Sequence, residues 1–384
     1  MFMKILVVLD SFYPNVDGPI EVVVSVARKF KEKGLGDMEL LVPAYPEKAE
    51  AEGVTVHRCR SFPAGEYRGA VPAFDAKVKK LIAKGGYDII HLHSPFTLGR
   101  YAMKYGRKHG VPVIFTMHTK FRDEFERRLK SRVLQNFMMN YIMKCINGCD
   151  AVTTVSQGTV DTLGEYGYKN TDKVKVIRNA ASMTPDVADP QTTRKIREEI
   201  NPDGCFTFAY VGRLAQTKNI PFSLQALAEA KKRGCKPFKF VLVGSGDYGK
   251  TLKRLAEEYG LKDNVVFTGK ITDKKLLANY YAACDALLFP SMFDNASIVI
   301  LEAAANSLPV ATLKNSCSAE KIKDGESGFV WENDVNVWAE NIVRLVENPQ
   351  LAKSAGEGAL RDVYVGWDNI AEEYYKLYRE ITGE

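Results

Sequence analysis

Short runs of aliphatic and β-branched residues alternate along the chain with longer stretches whose apolar positions recur every three to four residues. The first kind suits buried strands and the second suits amphipathic helices, so the pattern predicts parallel α/β sheets. In the first half, strands are expected near residues 4–10, 38–42, 54–59, 88–93, 112–118, 151–156 and 174–179, with helices such as 20–33 and 97–109 between them. Residues 180–204 break the rhythm: they are polar, contain prolines and read as a linker carrying one short helix. A second series follows, with strands near 206–212, 239–244, 265–269, 286–291, 309–314 and 328–331, and helices close the chain. The fold class expected is therefore α/β, with two doubly wound Rossmann-like domains. The boundaries predicted are 1–185, 200–362 and a C-terminal helical segment, 363–384, that crosses back onto the first domain.

Length agrees, since 384 residues exceed what one hydrophobic core usually serves. The 46% apolar and 26% charged composition is that of an ordinary globular protein. The apolar run at the N-terminus stops at Asp10 and a proline follows, too short for a leader or a membrane span, so a cytoplasmic chain is expected. Seven scattered cysteines contain no Cys-x-x-Cys pair and no zinc set, and read as reduced thiols. A net charge of +6 suits phosphate-bearing substrates or an anionic membrane surface, and no nucleic-acid partner is expected.

Open parallel sheets bind ligands beyond the carboxyl ends of their strands. The polar residues predicted there are Asp10, His91, His93, His118, Ser156, Asn179, Arg213 and the 291–302 segment, and two such rims facing each other would enclose a cleft. In Gly212–Asn219 (GRLAQTKN), Arg213 and Lys218 leave a strand and enter a helix. Two cations and free amides at a helix start suit a diphosphate, and would neutralise the charge of a departing nucleoside diphosphate. The alternative is a solvated basic pair. Asp294 and Glu302 stand eight positions apart across a loop-to-helix junction, placed to accept hydrogen bonds from sugar and ribose hydroxyls. The plain reading makes Asp294 an N-cap and Glu302 a surface acid. Glu302, however, lies among Ile300, Leu301, Ala303 and Ala304, poor surroundings for a solvated charge.

The order GRLAQTKN, VGSGD, VVFTGKI, LLFPS, D-x7-E and KDGESGF, preceded by D-SFYPNVDG, HLHSPF, TMHT, VTTVS and VIRNAAS, resembles family 4 glycosyltransferases over nearly the whole chain. These have the GT-B architecture of two Rossmann-like domains. The resemblance implies a hexosyltransferase that retains anomeric configuration and uses no metal and no cofactor beyond a nucleotide-sugar co-substrate, for which a UDP-sugar is the first expectation. It implies that Arg213 and Lys218 clamp the diphosphate, Asp294 contacts the donor sugar and Glu302 the ribose. Asn295, Ala296, Ser297 and Ile298 would offer backbone amides, Lys270 and Ile271 would meet the nucleobase, and Gly18 would approach the donor. His118 would reach the transferring sugar. Several positions depart from the family pattern, among them Asn295, Ala296 and Ser297 where glycines are usual, and Ser316 and Cys317 in a loop where glycines are common. Gly18 is followed by Pro19, and Asp294 stands for a glutamate, withdrawing the carboxylate by about 1.5 Å.

Residues 120–147 read as one long helix with an apolar stripe at Phe121, Phe125, Leu129, Val133, Phe137, Tyr141 and Cys145 and basic residues crowding its first half. Such a helix can lie on an anionic membrane and present a lipid acceptor; the alternative is a core helix with a solvated face. HSPFTLG and TMHTKFRDEF resemble bacterial diacylglycerol glucosyltransferases, so the acceptor is expected to be a lipid or a glycan. A nicotinamide oxidoreductase would want G-x-G-x-x-G after the first strand, where this chain has D-SFYPNVDG. A non-catalytic sugar-nucleotide-binding paralogue stays open at this point.

Overall fold

The computed structural model describes residues 2–14, 18–47, 50–65 and 67–383, which divide into two compact units, Met1–Asn179 with Trp367–Glu384, and Ala180–Gly366. In the first unit the order is β1 (Met3–Val8), α1 (Gly18–Glu32), β2 (Gly36–Pro43), β3 (Val56–Cys59), β4 (Ser61–Ala64), β5 (Tyr67–Ala70), α2 (Ala76–Lys84), β6 (Ile89–Leu92) and α3 (Thr97–His109). It continues with β7 (Val113–Met117), α4 (Phe121–Arg128), α5 (Arg132–Ile146), β8 (Ala151–Thr154), α6 (Gln157–Glu165) and β9 (Lys175–Val176). The second unit holds α7 (Pro190–Ile200), β10 (Phe206–Val211), α8 (Ile220–Lys232), β11 (Phe238–Val243), α9 (Gly249–Glu258), β12 (Val265–Gly269) and α10 (Lys274–Ala282). Then come β13 (Ala286–Phe289), α11 (Ile298–Ala305), β14 (Val310–Leu313), β15 (Phe329–Trp331), α12 (Val335–Glu347) and α13 (Pro349–Asp362), before α14 (Trp367–Thr382) returns to the first unit.

Both sheets are parallel and doubly wound. The first runs β3-β2-β1-β6-β7-β8-β9 and the second β12-β11-β10-β13-β14-β15. In each, the strand order reverses beside the first strand, between β1 and β6 and between β10 and β13. The carboxyl edge at such a reversal is where an open parallel sheet places its ligand crevice. The strands are apolar on both faces because helices cover both; all of Phe206–Val211 and of Val310–Leu313 are buried.

Three elements differ from the sequence expectation. Residues 180–204 are not a free linker: Ala181, Met183, Ile196 and Ile200 are buried in the core of the second unit. Residues 61–70 form an antiparallel hairpin, β4–β5, that the parallel pattern did not suggest. The helical run 120–147 is two helices. α4 ends with Leu129 in extended conformation, and Ser131, also extended, accepts from Leu134 N–H to cap α5. The apolar stripe is split accordingly: Phe121, Phe125 and Cys145 are buried, whereas Val133 is 80% and Phe137 62% exposed.

The last helix completes the first unit. Ile370, Ala371, Tyr374, Leu377 and Tyr378 are buried. Ion pairs from Lys29 and Lys33 to Asp368, from Lys33 to Glu372 and from Lys175 to Glu380 flank them.

Candidate active site

In the second unit, the loops after β10 and β13 meet where the strand order reverses. Asn219 donates from Nδ2 to the carbonyl of Pro290 at 3.2 Å, and Lys218 Nζ pairs with Asp294 Oδ1 at 2.5 Å. These two bonds fasten one loop to the other. Lys218 and Asp294, assigned to separate tasks on sequence grounds, are thus direct partners. Asp294 Oδ2 is buried and has no protein partner, so one carboxylate oxygen keeps its full accepting capacity. Arg213 is exposed, and its guanidinium makes no ion pair with a described residue; its carbonyl accepts from Tyr210 Oη at 3.2 Å, which fixes the turn beneath it.

The close approach of these loops depends on glycine. Gly212, Gly244 and Gly246 have φ of 143°, 150° and 158°. A Cβ on Gly244 would fall 1.9 Å from the Gly212 carbonyl oxygen, and one on Gly246 2.3 Å from that of Leu214. In their absence Gly212 N–H donates to Val243 (3.0 Å) and Leu214 N–H to Ser245 (2.9 Å), laying the loop after β10 flat on the loop after β11. The VGSGD segment therefore shapes the floor under Arg213.

Glu302, in α11, is 7% exposed, and both its oxygens are engaged: Oε2 accepts from Tyr281 Oη at 2.9 Å and Oε1 from Ser182 Oγ. The surface-acid reading is corrected by that burial. Asp294 is not the N-cap of α11 either; Ser297 holds that position, its side chain making no capping bond, and Ile298 is the first helical residue. The amides of this short helix start point out of its mouth, next to Asn295 and Ala296. Lys270, exposed, and Ile271, half-buried, follow β12 on the same carboxyl edge.

In the first unit the corresponding crevice holds a histidine cluster. His93 Nδ1 lies 2.8 Å from His118 Nε2; His91 Nδ1 lies 2.6 Å from Tyr378 Oη and its Nε2 2.7 Å from Thr116 Oγ1. Burial depresses the pKa of His91 to about 3 and of His118 to about 4, with His93 pushed well below its usual value, so all three imidazoles are neutral at pH 7. His91 and His93, which the sequence places among the strand-end polar residues without a role, pack against each other and support His118. Asp10 caps α3, accepting from Leu98 N–H (2.8 Å) and Gly99 N–H (3.3 Å); burial outweighs these bonds and raises its pKa to about 6. Gly18 is exposed at the start of α1, while residues 15–17 of the preceding loop lie outside the described residues. Among the described residues no group of three or more His, Cys, Asp or Glu side chains converges as a metal site.

Two parallel α/β units of this build, with cations and a buried carboxylate at the carboxyl edge of the second, define a glycosyltransferase of GT-B fold. Two family models match, Glycosyltransferase Family 4 over residues 16–183 and Glycosyl transferases group 1 over 192–362. The chain belongs to the family 4 glycosyltransferases. It is 24% identical over 382 residues to the alpha-monoglucosyldiacylglycerol synthase of Streptococcus pneumoniae, covering 98% of this chain and 85% of that one. Identity to the D-inositol 3-phosphate glycosyltransferase of Acidothermus cellulolyticus is 26%, with 94% and 85% covered. The crystal structure of Anabaena HepE in complex with UDP superposes with a TM-score of 0.78 at 20% identity, covering 98% and 100% of the two chains.

Proposed function

We propose that this glycosyltransferase moves a hexose, glucose before others, from a UDP-sugar to a lipid acceptor, with retention of configuration and without a metal ion. The observation that carries the reading is the crevice between β10 and β13, where Lys218 and Asp294 pair and where the loop after β10 also carries Arg213, exposed and in no ion pair with a described residue. A diphosphate entering there meets Arg213 and the amides at the start of α11, and can draw Lys218 toward itself. These groups supply the charge neutralisation that a leaving nucleoside diphosphate needs. Asp294 Oδ2, buried and unpartnered, is suited to accept from a sugar hydroxyl. Glu302, oriented by Tyr281 and Ser182, retains lone pairs for the ribose hydroxyls.

His118, neutral at pH 7, serves as a hydrogen-bonding dipole toward the transferring sugar rather than as a charged acid. The acceptor hydroxyl attacks C1 on the face from which the phosphate oxygen departs. The C1–O bond to phosphate breaks as the new glycosidic bond forms, and the acceptor's proton passes to the departing phosphate oxygen. UDP is favoured by the fold shared with HepE, and a lipid acceptor by similarity to the pneumococcal synthase over most of both chains. Exposed Val133, Leu134 and Phe137, next to exposed Lys130 and Arg132, give α5 a surface able to enter an anionic membrane interface. Charge on α4 contributes less, because Glu124 is paired with both Arg127 and Arg128.

The test is a thermal-shift panel of UDP, GDP, ADP and NAD, with and without EDTA, followed by turnover with the matching glucose donor. Stabilisation by UDP that EDTA leaves intact is expected, and Lys218→Ala should lower turnover by about 10²–10³-fold while the protein stays folded. Stabilisation by GDP alone would transfer the donor assignment to a guanosine sugar, and unchanged turnover in Lys218→Ala would remove that lysine from the clamp.

A further inference from the structure

A cavity of about 510 Å³ opens in the first unit, remote along the strands from the histidine cluster. Lys4, the second residue of β1, and Tyr87, which precedes β6, line it, whereas His93 and His118 follow the carboxyl ends of β6 and β7. The cavity therefore occupies the opposite end of the sheet from the crevice described above.

Its floor is an ordered polar network. Glu39, 8% exposed, accepts from Tyr87 Oη at 2.6 Å, lies 2.7 Å from His57 Nε2 and pairs with Lys4 Nζ at 3.1 Å. Burial opposes its ionisation, but the bonds from Tyr87, His57 and Lys4 prevail and keep it a carboxylate below its usual pKa. The only acid on the lining is thus already matched.

The wall is different. Lys77, Lys80 and Lys84 project from α2 at spacings of three and four, on one face of the helix with Leu81 between them. All three are exposed, and none forms an ion pair with a described residue. Arg58 alternates with His57 along β3, so its side chain leaves on the other face of the sheet, with its guanidinium 5.7 Å from the centre of the Phe12 ring. Four lysines thus line a concave space with one neutralised carboxylate. Like charges one turn apart repel, and a concave wall of one sign concentrates counter-ions. We propose that this cavity is a second ligand site, which binds a phosphomonoester anion: either a small free phosphate or the headgroup of an anionic lipid. The volume matches a small phosphorylated molecule, and the network under Glu39 holds the floor in place before the ligand arrives. The inference is independent of the donor reading, since it uses none of the donor residues.

Titration calorimetry with glycerol 3-phosphate and flotation with phosphatidic acid in phosphatidylcholine vesicles test the proposal in the full chain. Saturable binding is expected in at least one arm, weakened about tenfold or more by combined Lys77→Gln, Lys80→Gln and Lys84→Gln and unaffected by Lys218→Ala. Lys80→Gln alone, a single exposed change, should weaken it in the same direction and stands in if the triple variant fails to fold. Calorimetric binding identifies a free phosphate, and flotation without it identifies a lipid headgroup. Absence of binding in both arms, or binding retained at full strength in the α2 variants, would overturn the proposal.

Discussion

At the scale of single residues, the site is built from pairs that only make sense together. Lys218 and Asp294 neutralise each other across two loops; in the proposed function a donor diphosphate competes for the lysine while its sugar takes the second carboxylate oxygen. Glu302 depends on Tyr281 in the same way. That tyrosine is fully buried, and burial together with the neighbouring Glu302 carboxylate raises its pKa well above the usual value, so its hydroxyl remains a donor at any physiological pH. Replacing Tyr281 by phenylalanine keeps the shape and removes the donor, leaving a buried carboxylate oxygen short of one bond. The expected cost is about 1–3 kcal/mol in urea unfolding, with KM for the donor rising as Glu302 loses its orientation. A variant with unchanged stability and unchanged KM would show that Ser182 alone suffices. Arg213, Lys218, Asp294 and Glu302 were legible in the sequence because charged residues beside apolar strands are conspicuous. Tyr281 and Ser182 were not, since each comes from a different segment and neither has a charge to mark it.

Elements impose the next constraint, which is backbone geometry at strand ends. Gly244 is the clearest case: its φ is 150° and a methyl group would lie 1.9 Å from the Gly212 oxygen. Gly244→Ala should therefore destabilise the second unit by about 1–3 kcal/mol and lift the loop that carries Arg213. A lowered Tm with weakened nucleotide affinity is the expected pair of results; normal affinity would mean the loop relaxes without moving Arg213. In the first unit the break at Leu129–Ser131 divides the apolar stripe. Positions repeated every fourth residue already drift by about 40° per step around a helix, and the start of a separate α5 leaves Val133 and Phe137 exposed while Cys145 near its end is buried. Substituting both by serine should leave folding intact, because neither is in the core, and should reduce flotation with anionic vesicles severalfold. Equal flotation of the two proteins would place any membrane contact elsewhere. No helix among the described residues is long and apolar enough to cross a bilayer.

At the scale of the whole molecule, three buried histidines give the first unit a pH signature. The unfolded chain protonates its imidazoles near 6.5, whereas the fold holds His91 and His118 neutral down to about 3 and 4. Their contribution to stability is complete above about pH 6.5 and drains away as the pH falls toward 4, because the unfolded state then binds more protons. Asp10 acts in the opposite sense, its raised pKa of about 6 favouring the fold at lower pH and losing that contribution as the pH rises through 6. Three imidazoles outweigh one carboxyl, so Tm should be lower at pH 5 than at pH 7, and His118→Gln should flatten the difference. A Tm independent of pH in both proteins would mean the cluster takes up protons without unfolding. The alternation of strands and helices, the presence of two units and the cations at the strand ends were legible in the sequence alone, since burial on two faces, helical period and charge are properties of local composition. What tertiary structure decided was which of those residues became partners. The last helix was expected to cross back, but that it puts Tyr378 on His91, that residues 180–204 pack into a core and that Lys218 pairs with Asp294 all join segments distant in the chain, and no local pattern of polarity encodes such pairings.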